Sequence, residues 1–99
     1  MSENENCSLK LYIAGISVDN QESIIEFKEI LKKQLRNPYT LEGIDIFDRP
    51  ELAEEEKIIA TPTLMRKSPL PIKKIILEFN DKEKLIKGVG AALQDLVTL

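Results

Sequence analysis

The chemistry open to this chain is set by two charged clusters, Glu51, Glu54, Glu55 and Glu56, then Arg66, Lys67, Lys73 and Lys74, and by two lone groups, the Ser17 hydroxyl and the Cys7 thiol. The carboxylates could attract a divalent cation. Neither a calcium-loop pattern nor a supporting ligand set accompanies them, so they read as a solvated acidic face and no metal is expected. The cations would gather at a hairpin end and suit an acidic protein surface, although lysines on an edge strand also guard against aggregation. Cys7 has no basic neighbour and reads as a small strand residue. Ser17 could activate a thiol substrate such as glutathione, or it could simply cap a helix. The chain has no histidine, which removes histidine-based proton transfer and the commonest zinc and haem ligand sets. No catalytic residue and no cofactor are expected.

The 99 residues are 42% hydrophobic and 31% charged, the balance of one globular domain. A net charge of −3 argues against nucleic acid as a partner, because phosphate binding needs a surplus of positive charge. The apolar runs are a few residues long, far short of the roughly 20 needed to span a bilayer, so no membrane is expected. A polar, acidic start without an apolar stretch, together with a single cysteine, makes the cytoplasm the expected location.

The elements that must position these groups follow from periodicity. Residues 7–13 alternate as a strand, with Leu9, Leu11 and Ile13 on one face. Ile24, Phe27, Leu31 and Leu35 recur at helical spacing and predict a helix over 20–35, capped by Ser17 or Asp19 and stopped at Asn37-Pro38. A second strand is expected over 39–47, with Gly43 as a bulge, parallel to the first. Asp48 would cap a short helix over 52–58 with Pro50 in its first turn. Pro62 bends the start of a hairpin, residues 63–66 and 72–79, whose connection holds Pro69 and Pro71. Residues 80–83 would cap a third helix carrying Leu85, Val89, Ala92, Leu93 and Leu96.

The resulting order, βαβαββα, is that of an α/β thioredoxin-like fold. In such a fold a Cys-x-x-Cys pair would act between the first strand and the first helix. Here that segment reads Gly15-Ile16-Ser17-Val18-Asp19-Asn20, without sulfur, so dithiol chemistry is not expected. An enzyme would have to be a glutathione- or peptide-binding type that relies on Ser17 and Pro62. The last helix carries an internal conflict, since Gly88 and Gly90 each cost about 1 kcal/mol in a helix interior. Residues 84–89 can equally form a short strand.

Residues 9–15 (LKLYIAG), 44–48 (IDIFD) and above all 50–64 (PELAEEEKIIATPTL) resemble the KaiB family of small clock proteins that bind the ATPase KaiC. The resemblance covers residues 9–96. It implies one KaiB-like domain over 1–99, with a flexible terminus (1–8), an invariant half (9–48) and a fold-switching half (49–99). Members alternate between a ground state, βαββααβ, expected here as a homotetramer or a dimer, and a monomeric thioredoxin-like state that binds the first ATPase ring of KaiC. Pro62, Pro69, Pro71 and Gly88 fall in the switching half, and Gly90 replaces an aspartate of clock-type members. Together the two glycines tip the expectation towards the tetramer. KaiC contact is expected through Lys57, Ala60, Pro62 and the basic hairpin residues Arg66, Lys67, Lys73 and Lys74. Positions that are basic in clock-type members and face further partners are Glu22 and Glu42 here, which argues against a partner of the KaiA type. The family also resembles the KaiB-like input module of the histidine kinase SasA, so a sensor domain is a further possibility, although these 99 residues carry no kinase. Circadian timing, or a related stress or metabolic response, is the expected setting.

Overall fold

A computed structural model describes residues 6–96. These contain β1 (Cys7–Ile13), α1 (Val18–Gln34), β2 (Tyr39–Asp45), α2 (Pro50–Glu55), β3 (Thr63–Ser68), β4 (Lys73–Ile76) and α3 (Lys82–Leu93). The order is βαβαββα, as expected, in one sheet arranged β2-β1-β3-β4. β1 and β2 run parallel, from Cys7 opposite Tyr39 to Ile13 opposite Asp45. β3 is antiparallel to β1 and forms a hairpin with β4.

Strand alternation gives the sheet two unlike faces. Leu9, Leu11 and Ile13 of β1 and Leu64 of β3 join Phe27, Ile30 and Leu31 of α1 and Leu85, Val89, Ala92 and Leu93 of α3 in the main core. Each fully buried aliphatic or aromatic side chain of this kind contributes about 1.5–3 kcal/mol. Cys7 is buried there too, in keeping with a small strand residue. The opposite face holds Tyr12, Ile44 and Met65, with Ile46, Leu52 and Ile58 packed against them. α2, six residues with none buried, covers that face only in part.

Ser17 caps α1 and accepts a hydrogen bond from the Asn20 N–H at 3.1 Å, so the helix starts two residues earlier than expected and Asp19 lies inside it. The Asp81 carboxylate caps α3 through the Lys84 N–H. α2 begins at Pro50, with Arg49 and not Asp48 at the cap position, and stops at Glu55. β2 ends at Asp45, because that side chain takes the Phe47 N–H and turns the chain. Gly43 stays in register opposite Leu11, while the one register shift falls between Ser8 and Leu9 in the β1–β3 pairing. β3 runs on to Ser68 and β4 is confined to four residues, which moves the hairpin connection to 69–72. Cys7 and Ser8, assigned to a flexible terminus, are strand residues; residues 1–5 of that terminus lie outside the described part. The peptide bonds preceding Pro62, Pro69 and Pro71 are cis.

Residues 84–89, which could equally have formed a strand, are helical in this arrangement, and α3 runs through both Gly88 and Gly90. A Cβ on Gly88 would lie 2.8 Å from Leu77 Cδ2, so the missing side chain is what lets α3 approach Leu77, itself buried. Close packing therefore offsets the propensity loss at that position. A Cβ on Gly90 would meet only Gln34 Oε1, at 3.4 Å.

Candidate docking site

The connection between α2 and β3 is shaped by how α2 ends. The Ile58 N–H bonds to the Ala53 carbonyl at 2.9 Å and the Lys57 N–H to the Glu54 carbonyl at 3.1 Å. These are the two bonds of a Schellman C-cap, whose turning position is left-handed and usually glycine. Here Lys57 holds it, at φ 56°. Beyond this turn Ile58 packs against the Tyr12 cluster and Ile59 points outward, 88% exposed. The loop is then closed by Thr63 Oγ1, which donates to the Ala60 carbonyl at 2.7 Å, and by the Leu77 N–H, which donates to the Pro62 carbonyl at 2.8 Å. Lys57, Ile58, Ile59, Thr63, Lys74 and Ile76 line a groove of about 210 Å³, so two exposed isoleucines stand between two lysines.

Lys57, Ala60 and Pro62 thus lie on one tethered loop, and Lys74 joins them across the sheet. The other basic residues do not form the single patch expected. Successive strand residues face opposite ways, which sends Arg66 and Lys73 to the helix side and Lys67 and Lys74 to the α2 side. Arg66 is fully buried. Its guanidinium donates to both carboxylate oxygens of Asp95, at 2.7 and 2.9 Å, and to the carbonyls of Ala92 and Pro71. Lys73 reaches the same carboxylate at 3.4 Å, and together these cations, Arg66 foremost, hold the Asp95 carboxyl well below the usual carboxylate range. In this arrangement Arg66 is unavailable to a partner.

On the other face Lys67 pairs with Glu56 at 2.9 Å, and Lys74 donates to the Glu56 carbonyl. The Lys67 bond, with the nearby charges of Lys10 and Lys74, lowers the Glu56 pKa. Tyr12 lies beneath, its hydroxyl buried without a partner, and burial with the field of Glu56 raises its pKa. Among the described residues no carboxylate, cysteine or histidine cluster could hold a metal ion. Ser17 Oγ accepts the Asn20 N–H, and Ser17 does not line the small cavity formed by Ile13, Ala14, Asn20, Thr61, Pro62 and Phe79.

Periodicity reasoning missed Ile59 and Ile76. A signal for the first existed: after a helix ends, two adjacent isoleucines cannot both face the core. Alternation along β4 carried the second, since Ile75 turned inward leaves Ile76 outside.

The model of the KaiB domain matches residues 10–90. "Circadian clock oscillator protein KaiB" of Synechococcus elongatus is 40% identical over 96 residues, covering 97% of this chain and 94% of that protein. The protein of the same description from Trichodesmium erythraeum is 41% identical over 88 residues, covering 89% and 85%. The chain belongs to the KaiB family. Among solved structures, this KaiB-family chain is similar to the N-terminal domain of Synechococcus elongatus SasA, with a TM-score of 0.70 at 20% identity, covering 96% of this chain and 90% of that one. Chloroplastic thioredoxin z gives a TM-score of 0.55 at 13% identity, covering 87% and 80%. At such identities the likeness is one of fold, and the fold is thioredoxin-like. No helix among the described residues is long and apolar enough to cross a membrane.

Proposed function

We propose that this KaiB-family chain is a non-catalytic regulator that docks onto a KaiC-type ATPase in its thioredoxin-like arrangement, through the 57–62 loop. The observation that carries the proposal is the exposed pair Ile59, on a loop tethered at both ends, and Ile76, on the neighbouring strand β4, in one groove with Lys57 and Lys74. Apolar anchors on a rigid frame lose little entropy on binding and form interface hot spots, and the lysines favour an acidic partner surface. Lys67 stands at the rim of this surface, whereas Arg66 and Lys73 support it from behind. A homotetrameric or dimeric ground state over the same sequence, rearranged in residues 49–99, would make the binding form a minority species. Apparent affinity then falls with that fraction and association is slow. The setting is a cytoplasmic one, in circadian timing or a related stress or metabolic response. Glu22 and Glu42 disfavour a KaiA-type partner, Glu42 facing Lys10 at 3.9 Å. The alternative of a glutathione-using enzyme draws no support from Ser17, which caps a helix and does not line the cavity that holds Pro62.

Gel filtration of the chain with its cognate KaiC-type ATPase and ATP tests the proposal. A complex should form over hours and be weakened at least about tenfold by Ile59→Asp, the scale of one lost hot spot. No complex after a day, or an unaffected Ile59→Asp variant, refutes it.

A further inference from the structure

A second apolar surface, of opposite charge, lies where the two parallel strands end. Asp45 Oδ1 accepts the Gly15 N–H at 3.0 Å and the Phe47 N–H at 2.9 Å, so one carboxylate oxygen fastens the β1–α1 loop to the β2–α2 loop. The Asp45 carbonyl further accepts the N–H groups of Asp48 and Arg49. Gly15 has φ +81°, a conformation side chains resist, and its missing Cβ is covered by the Phe47 ring, which would stand 3.3 Å away. Despite this fixed geometry Phe47 is 73% exposed, and Ile16 and Val18 are exposed as well. A groove of about 410 Å³ opens at Ile16, lined also by Ile13, Ile24, Ile44, Asp45, Asp48 and Arg49, and Phe47 lies in the chain between the Asp45 and Asp48 of its wall.

Exposing Ile16 and Phe47 on loops braced by the Asp45 carboxylate, with Val18 beside them at the start of α1, serves no stability purpose, and such patches mark interaction sites. The location agrees, since open α/β sheets bind ligands beyond the carboxyl ends of their parallel strands. Charge selects the occupant. The one cation in the groove wall, Arg49, is paired with Glu51 at 3.1 Å. Asp48 takes part in none of the ion pairs among the described residues. The groove therefore keeps net negative charge around an apolar floor.

We propose that this groove binds a protein segment presenting an apolar side chain flanked by lysine or arginine: the apolar group packs on Ile16 and Phe47, and the cation pairs with Asp48. The groove shares no lining residue with the groove of Ile59 and Ile76 and prefers the opposite charge, so its occupant need not be the ATPase.

The test is an amide-resolved NMR titration of the isolated chain, with no ATPase present, using the peptide Ac-Lys-Arg-Leu-Leu-Arg-Lys-NH2 and a counterpart in which glutamates replace the four cations. The basic peptide should shift amides of residues 15–18 and 43–49 saturably, and the acidic one should not. Phe47→Ala and Asp48→Lys, both at exposed positions, should keep the native spectrum and weaken binding by about tenfold and about fivefold, in line with loss of an apolar anchor and of a desolvated charge partner. Shifts centred elsewhere, equal response to the acidic peptide, no saturable response, or an unchanged Asp48→Lys titration would each overturn the proposal. If the same amides shift with protein concentration alone, the face belongs to a second copy of the chain and the proposal again fails. None of these outcomes bears on ATPase binding.

Discussion

The two faces of the β3–β4 hairpin start from nearly identical sequence, a cation pair on each strand, and end as different devices. On the helix side Arg66, fully buried, ties β3 to the Ala92 carbonyl, to Asp95 just beyond α3, and to the Pro71 carbonyl. On the α2 side Lys67 and Lys74 hold Glu56 while remaining in reach of water. A buried guanidinium stripped of its carboxylate is costly, whereas a solvated lysine pair contributes close to nothing. Whether a cation serves the fold or the surface is thus decided by which way one strand residue faces.

The sharpest way to break this contrast is to truncate one cation on each face. Arg66→Ala should destabilise the thioredoxin-like arrangement by about 2–3 kcal/mol in urea unfolding, below the figure for a fully buried pair because Asp95 is partly solvated. Lys67→Ala should change it by less than about 0.5 kcal/mol. Equal losses would erase the distinction. Acid titration sharpens it further. Asp95 has a lowered folded pKa, so its stabilisation is present above the unfolded value, about pH 4, and disappears as pH falls through the folded one. The stability gap between the native chain and Asp95→Asn should therefore be flat above about pH 4 and close below it.

Smaller effects separate the two glycines. Gly88→Ala gains helix propensity but forces a methyl group onto Leu77, and should cost a net of about 1 kcal/mol. Gly90→Ala meets only a side-chain amide and should gain about 0.5–1 kcal/mol. A stabilising Gly88→Ala, seen as a raised unfolding midpoint, would show that the Leu77 contact relaxes freely. The mildest change is Lys57→Gly, which should add about 0.5–1 kcal/mol by relieving a left-handed lysine. If lysine at this position serves docking, the same variant should bind the ATPase more weakly while being more stable.

The element order and the main core were legible because long periodic segments such as residues 24–35 leave one solution. The start of α1 was legible only in part, since Ser17 was one of two possible caps and the helix begins at Val18, two residues before the expected 20. Less legible was anything that depends on tertiary approach. Gly88 looks like a defect until Leu77 is placed against it, and Asp48 looks like a cap until Asp45 turns the chain, its carbonyl taking the Asp48 and Arg49 N–H groups so that the helix starts after Arg49. The site was half legible: Lys57, Ala60 and Pro62 share one loop, but a run such as Arg66-Lys67 does not disclose that one member is inside. Ile59 and Phe47, exposed against their chemistry, were hidden because apolar residues are counted first as core.

Cys7 adds a practical corollary. It is the only sulfhydryl of the chain and sits within the sheet interior, 1% exposed, so a water-borne alkylating reagent can reach it only when β1 parts from its neighbours. The molecule carries its own stopwatch for opening, read by mass spectrometry as the mass the reagent adds, and its rate will tell how often the start of β1 comes apart from the sheet.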